Sequence, residues 1–158
     1  MTRTKPPVSI ILCDLTYDTL ILVSDTIPIN IGFVGAYAKK KFGKDISLSL
    51  FKYPQSVIEE IKNNPPDIIA CSNYSWNSNL SEYILSLAKK ANPNVITVQG
   101  GTNFPHEDKQ QKEYLISRPN TDIHILFEGE KSFCNIAQRV FDSKWDRSKI
   151  FNSPIDGT

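Results

Sequence analysis

The chain has 158 residues, a length that suits one domain built on a single core. Eighteen basic residues stand against seventeen acidic ones, so the net charge of +1 argues against a surface for polyanions, and no nucleic-acid partner is expected. Three cysteines without a CxxC spacing, an N-terminus unlike a signal peptide and no run near the roughly 18 apolar residues of a membrane span predict a soluble, cytoplasmic domain with no membrane partner.

Short β-rich runs alternate with longer helical patterns. VSIILC, from Val8 to Cys13, predicts the first strand, and the polar loop DLTYDT follows it. LILVSD is apolar without a period and stays ambiguous between strand and packed loop. Pro28 opens a helix, PINIGFVGAYAKKKFG, in which Ile31, Val34, Ala38 and Phe42 recur at helical spacing. Gly43 falls at its C-terminal cap, and Lys39, Lys40 and Lys41 oppose the negative end of the helix dipole. DISLSLFKY alternates with period two, as a half-exposed second strand does, and PQSVIEEIKNN predicts a short helix. PDIIACS is the third strand, apolar on both faces at its centre. NSNLSEYILSLAKKA is an amphipathic helix with Leu80, Ile84, Leu87 and Ala88 on one side. NVITVQ is the fourth strand, followed by a less regular segment containing KQQKEYLIS. TDIHILF is the fifth strand and GEKSFCNIAQRVF the last helix. WDRSKIFNSPIDGT carries no further period, so the expected division is a domain over residues 1–145 and a linker over 146–158.

Strands that alternate with helices imply a parallel sheet covered on both faces. The alternating second strand belongs at an edge and the apolar first, third and fourth belong inside. This is the flavodoxin-like, Rossmann-like order 2-1-3-4-5. Ligands of such sheets lie beyond the carboxyl ends of the strands. The candidate binding residues are therefore Asp14, Thr16, Tyr17 and Thr19 after the first strand, and Ser72, Asn73, Tyr74 and Trp76 after the third. Gly100, Gly101 and Thr102 follow the fourth, and Glu128 and Gly129 the fifth.

That inventory excludes several common users of the fold. A phosphoacceptor receiver needs an aspartate where Ser72 stands and a lysine where Phe127 and Glu128 stand. The loop DLTYDT has no glycine, so it is neither a flavodoxin phosphate loop nor a GxGxxG fingerprint. No P-loop, GxSxG elbow or evident acid–base pair occurs, and neither a catalytic nor a metal-ligating residue is assigned. Structural readings compete at each candidate. Gly100 and Gly101 suit a tight turn or the close approach of a ligand. Ser72 suits a helix cap or a ligand hydrogen bond, and Trp76 a packing ring or a face for a flat macrocycle. Glu128 and Glu130 suit the positive end of the following helix. His124 reads as a structural histidine, His106 as a solvated one, and Cys13 and Cys71 as small buried hydrophobes.

DLTYDT, SNY and GG, after the first, third and fourth strands, resemble the DxHxxG, SxL and GG motifs of cobalamin-binding domains. More specifically, P…G…A on the first helix, SNYSWN, VQGGTNFP and D…FEGEKSF resemble the N-terminal domain of cobalamin-dependent radical S-adenosylmethionine enzymes, over roughly Val8 to Phe141. The resemblance implies a cobalamin-binding module, not catalytic alone, that holds the corrin through the candidate residues. Thr16 stands where the histidine of that motif would coordinate cobalt from below, and Thr19 replaces its glycine, so no lower axial histidine is expected. Tyr74 replaces the leucine of SxL and would crowd a nucleotide tail. These departures motivate the alternative, a docking or scaffold domain that has lost cobalamin binding. The chain has no CxxxCxxC, so a 4Fe-4S cluster and S-adenosylmethionine are expected only in a missing C-terminal radical domain, its partner in a full-length, methyltransferase-like parent. The chain itself is expected to be an excised or truncated piece.

Overall fold

The computed structural model describes residues 7–17 and 26–158; the stretch LILVSD and Thr19 lie outside the described residues. Five strands form one sheet: β1 (Val8–Cys13), β2 (Ile46–Phe51), β3 (Ile68–Ser72), β4 (Ile96–Gly100) and β5 (Ile123–Ile125). Every pairing is parallel and the order is β2-β1-β3-β4-β5, as the apolar pattern predicts. The connections carry α1 (Ile29–Phe42), α2 (Pro54–Asn63), α3 (Ser78–Ala91) and α4 (Asp108–Ile116), and α5 (Gly129–Ser143) follows β5. Gly43 ends α1 at a positive φ of 55°, which glycine adopts without the penalty a Cβ brings.

The period-two rule divides the core between the faces of the sheet. Val8, Ile10 and Leu12 join Ile68, Ile96 and Val98 against α1 and α5. Ile11, Cys13, Ile69 and Cys71 point the other way, onto Val57 and Ile61 of α2 and Ile84, Leu85 and Ala88 of α3. The helix α4 is regular although its sequence has no apolar period, because none of its residues is buried to impose one.

Two expectations change near the C-terminus. The fifth ladder spans three residues only, since the Leu126 amide donates to Gly157 instead of continuing it. Residues 146–158, read from sequence as a linker, lie on the domain. Lys144 and Trp145 both adopt left-handed backbone (φ 50° and 64°) and turn the chain back from α5 into α6 (Arg147–Ile150). Two such residues cost on the order of 1–3 kcal/mol each, so the packing they permit has to offset them. Ile150 and Ile155 are buried in the α1–α5 core, with Trp145 packed against it, and a fully buried isoleucine contributes roughly 1.5–3 kcal/mol.

A half-buried carboxylate fastens this segment to the sheet. Asp122, at the entry to β5, accepts from Lys89 of α3 and from Arg147 of α6, each at 2.8 Å. It also accepts from the backbone amide and hydroxyl of Thr97. Burial alone pushes its pKa up, but the hydrogen bonds from Lys89 and Thr97 outweigh burial and hold it below the ordinary carboxylate value of 3.8. With the folded pKa lowered, the stabilisation is complete above the ordinary carboxylate range and is lost as the pH falls through the folded value. Asp122→Asn is expected to lose about 2–3 kcal/mol in urea unfolding at neutral pH, and to show a shallower loss of stability on acidification.

Candidate binding site at the carboxyl edge of the sheet

The loops that leave β1 and β3 are tied together before they offer anything to a ligand. After β1 the amides of Asp14 and Thr16 donate to Phe51 and Lys52 at the end of β2, and Leu15 is buried beneath them. Ser72, the last residue of β3, donates its hydroxyl to Asp14 Oδ1. Asn77, fully buried ahead of α3, donates to Ser72 Oγ at 3.1 Å and to the Leu15 carbonyl at 3.2 Å, and its own oxygen accepts from the Tyr74 amide at 2.9 Å. Ser72 therefore does not cap α3. Its hydroxyl has one donor, spent on Asp14, and two acceptor positions, one of them taken by Asn77. One acceptor position is left.

Beside this node a cleft of about 210 Å³ opens between the sheet, α1 and the start of α5. Leu12, Ala70 and Val98 form its floor, Ser72, Gly100 and Gly101 its end, and Ile31, Val34 and Phe133 its helical walls. The volume lies below the roughly 300–1,000 Å³ typical of drug-sized sites, so the cleft takes one part of a large ligand. Phe127 stands at its mouth, 93% exposed and at a φ of 56°, in a turn fixed by the Leu126–Gly157 hydrogen bond. A second hollow of about 530 Å³ lies on the other side of Tyr74, lined by Asp14, Thr16, Pro28, Lys52 and Trp76 among others.

The predicted residues divide accordingly. Ser72, Tyr74, Gly100, Gly101 and Gly129 line the cleft, while Asp14, Thr16, Tyr74 and Trp76 line the second hollow. Tyr17, Thr102 and Glu128 are exposed and line neither. Asn73 departs from the expected placement. It is fully buried, and its side-chain amide is engaged by the Asn103 carbonyl, Tyr114 Oη and His124 Nε2 at 2.9–3.1 Å. Asn30, Ile31 and Val34 of α1 and Phe127 belong to the cleft without having been singled out. The helical spacing of Ile31 and Val34 marks them as apolar-facing, but not as facing a gap. Phe127 follows a strand end, and the carboxyl-edge rule alone could have found it.

The two glycines have separate explanations. Gly101 has a φ of 140°, and a Cβ there would lie 2.6 Å from the Asn73 carbonyl oxygen. The close approach that requires glycine is made by the neighbouring backbone. A Cβ on Gly100 would meet Ile125 Cβ at 3.3 Å, a tight but less severe contact at the end of the cleft.

His124 faces away from the cleft. Its ring stacks on Phe104 at 3.8 Å, and burial lowers its pKa from 6.5 to about 4, so it is neutral at physiological pH. His106 is exposed in the loop after β4. Cys13 and Cys71 are register partners on adjacent strands, and burial raises the Cys13 thiol well above its usual value, as expected of inert packing residues. Among the described residues no cluster of three or more histidine, cysteine, aspartate or glutamate side chains could hold a metal ion.

The family model for the B12 binding domain matches residues 20–137, most of the chain and every cleft-lining residue except Leu12 of β1. This protein belongs to the B12-binding domain family. It is 34% identical over 78 residues to the cobalamin-dependent radical SAM methyltransferase TokK of Streptomyces tokunonensis, covering 49% of this chain and 11% of that one. It is 31% identical over 68 residues to the 2-(S-pantetheinyl)-carbapenam-3-carboxylate methyltransferase of Streptantibioticus cattleyicolor, covering 43% of this chain and 10% of that one. The matched stretch is thus about a tenth of the length of these curated relatives. In three dimensions the B12-binding domain is similar to a cobalamin-binding protein from Desulfitobacterium hafniense DCB-2, with a TM-score of 0.60 at 13% identity, over 85% of this chain and 59% of the other. A response regulator from Hahella chejuensis aligns with a TM-score of 0.52 at 15% identity, over 90% and 97% of the two chains. At these identities the structural likenesses establish the flavodoxin-like fold alone.

Two outcomes follow from this geometry. Gly101→Ala is expected to cost about 2 kcal/mol or more in chemical denaturation, and Gly100→Ala clearly less, because only the first forces a Cβ against backbone at positive φ. For His124 the unfolded chain takes up the proton first, so stability is complete above pH 6.5 and declines toward pH 4. An NMR titration of its ring is expected to show a midpoint near 4; a midpoint near 6.5 would contradict its buried, stacked placement.

Proposed function

We propose that this B12-binding domain is the cobalamin-binding module of a radical S-adenosylmethionine enzyme, methyltransferase-like, and that it positions the corrin without a lower axial histidine. The observation that carries this reading is the cleft at the carboxyl edge, where Ser72 and the Gly100–Gly101 pair close an apolar floor at the positions of the family motifs. The residues present fit part of such a ligand. The floor of Leu12, Ala70 and Val98 suits a flat apolar ring, and the free acceptor position of Ser72 suits a donor on it. The exposed faces of Trp76 and Tyr17 suit contact with a macrocycle or with an adjoining domain. Thr16, at the place of the motif histidine, carries no nitrogen for cobalt.

Cobalamin when bound supplies the reactive cobalt, and the protein supplies orientation. The residues named here bind and orient only. A 4Fe-4S cluster and S-adenosylmethionine belong, in this reading, to a C-terminal radical domain of a longer parent, the partner against which the edge would work. Three free thiols suit a cytoplasmic setting, and among the described residues no helix is long and apolar enough to cross a membrane.

The second reading, a docking or scaffold domain of the same fold without cobalamin, is favoured by one observation. Tyr74 reaches across the edge to Asn30 on α1, between the two hollows. Incubation with hydroxocobalamin followed by desalting separates the two readings. Retained pigment with a shifted visible spectrum is expected, and Ser72→Val is expected to weaken retention severalfold. A colourless protein after desalting would favour the docking reading.

A further inference from the structure

We infer that the Asn30–Tyr74 hydrogen bond is a crossbar that divides one binding cleft into two, and that it selects against corrinoids carrying a nucleotide tail. This inference rests on the corrinoid reading above and adds a specificity determinant to it.

Both hollows count Asn30 and Tyr74 among their walls, so the pair stands on the boundary between them. Asn30 Nδ2 donates to Tyr74 Oη at 3.0 Å. The orientation of that amide is set by the chain, because Asn30 Oδ1 already accepts from the Ile31 amide at 2.8 Å. The tyrosine is anchored from its own side as well. Its backbone amide donates to Asn77, and its ring stacks on Trp76 at 4.6 Å with an interplanar angle of 11°. A bar fixed at both ends thus joins α1 to the loop after β3. A leucine at position 74, as in the SxL motif, has no hydroxyl and could not form it.

The consequence for a ligand is geometric. A molecule that fills either hollow alone leaves the bar intact. A molecule with two bulky parts on a flexible link, one in each hollow, has to part Tyr74 from Asn30. Cobalamin has that form, a macrocycle joined to a nucleotide tail, whereas cobinamide is the same macrocycle without the nucleotide. Breaking one such hydrogen bond weakens binding roughly twofold to tenfold, and only for the tailed ligand.

The experiment compares dissociation constants of hydroxocobalamin and the corresponding cobinamide for the wild-type chain, Tyr74→Phe and Asn30→Ala, read from the visible spectrum of the corrinoid. Tyr74→Phe removes a single oxygen and keeps the ring on Trp76; Asn30→Ala removes the other partner. The hydroxocobalamin-to-cobinamide ratio of dissociation constants is expected to fall roughly twofold to tenfold in both variants. An unchanged ratio in both, with both corrinoids binding, overturns the crossbar and leaves the corrinoid reading standing. A change in one variant alone also counts against it, since a shared bond must answer to either partner. If neither corrinoid binds any of the three proteins, the corrinoid reading falls and the selectivity with it.

Discussion

The constraint on which the rest depends is the reversal of winding at β1. All five strands run the same way, and β1 pairs with β2 on one side and β3 on the other. The helix after β1 packs on one face of the sheet and the helix after β3 on the opposite face. The two loops therefore leave the same edge in opposite directions and open a gap between them. Backbone groups at such a gap have no ladder partner, and an unpaired buried polar group is costly. The node of Asp14, Ser72 and Asn77 answers that need, bonding loop to strand end so that the edge stays open without leaving these groups unpaired.

The same sheet is secured at its other end by charge. Asp122 gathers a lysine from α3, an arginine from α6 and two donors from Thr97, which joins three parts of the chain at the entry to β5. The last residues lie on the fold because of it and of the two isoleucines they bury. They also reach the site. Gly157 accepts from Leu126 and so holds the turn that presents Phe127 at the cleft mouth, more than twenty residues earlier in the chain. A segment without period or motif thereby shapes the edge at which the cleft opens.

Much of the fold is legible because parallel strands buried on both faces must be apolar at their centres, as PDIIACS and VSIILC are. The edge strand betrays itself by alternation, and the helices other than α4 by their spacing. The candidate site is legible only as a set of addresses, the residues after each strand. Ser72, Tyr74, Gly100, Gly101 and Gly129 at those addresses do meet around one cleft. Asn73 sits at an equally good address and turns inward, because one residue's shift along an extended chain reverses the direction of its side chain. The walls from α1 escape notice for a related reason. Ile31 and Val34 look the same in sequence whether a helix face meets packed atoms or an opening.

The sequence by itself determined the parallel sheet, its order and the edge at which small and hydroxyl-bearing residues collect, since these follow from local periodicity and from residue type. It also determined the family, through motifs in a fixed order along that edge. Only the tertiary structure decided why Gly101 is glycine, which side of the sheet Asn73 serves, how the final residues return to the core and that Tyr74 bonds Asn30 across the cleft. Each of these depends on contacts between residues far apart in the chain. Their distances are set by the packing of whole helices against the sheet, which no local pattern encodes.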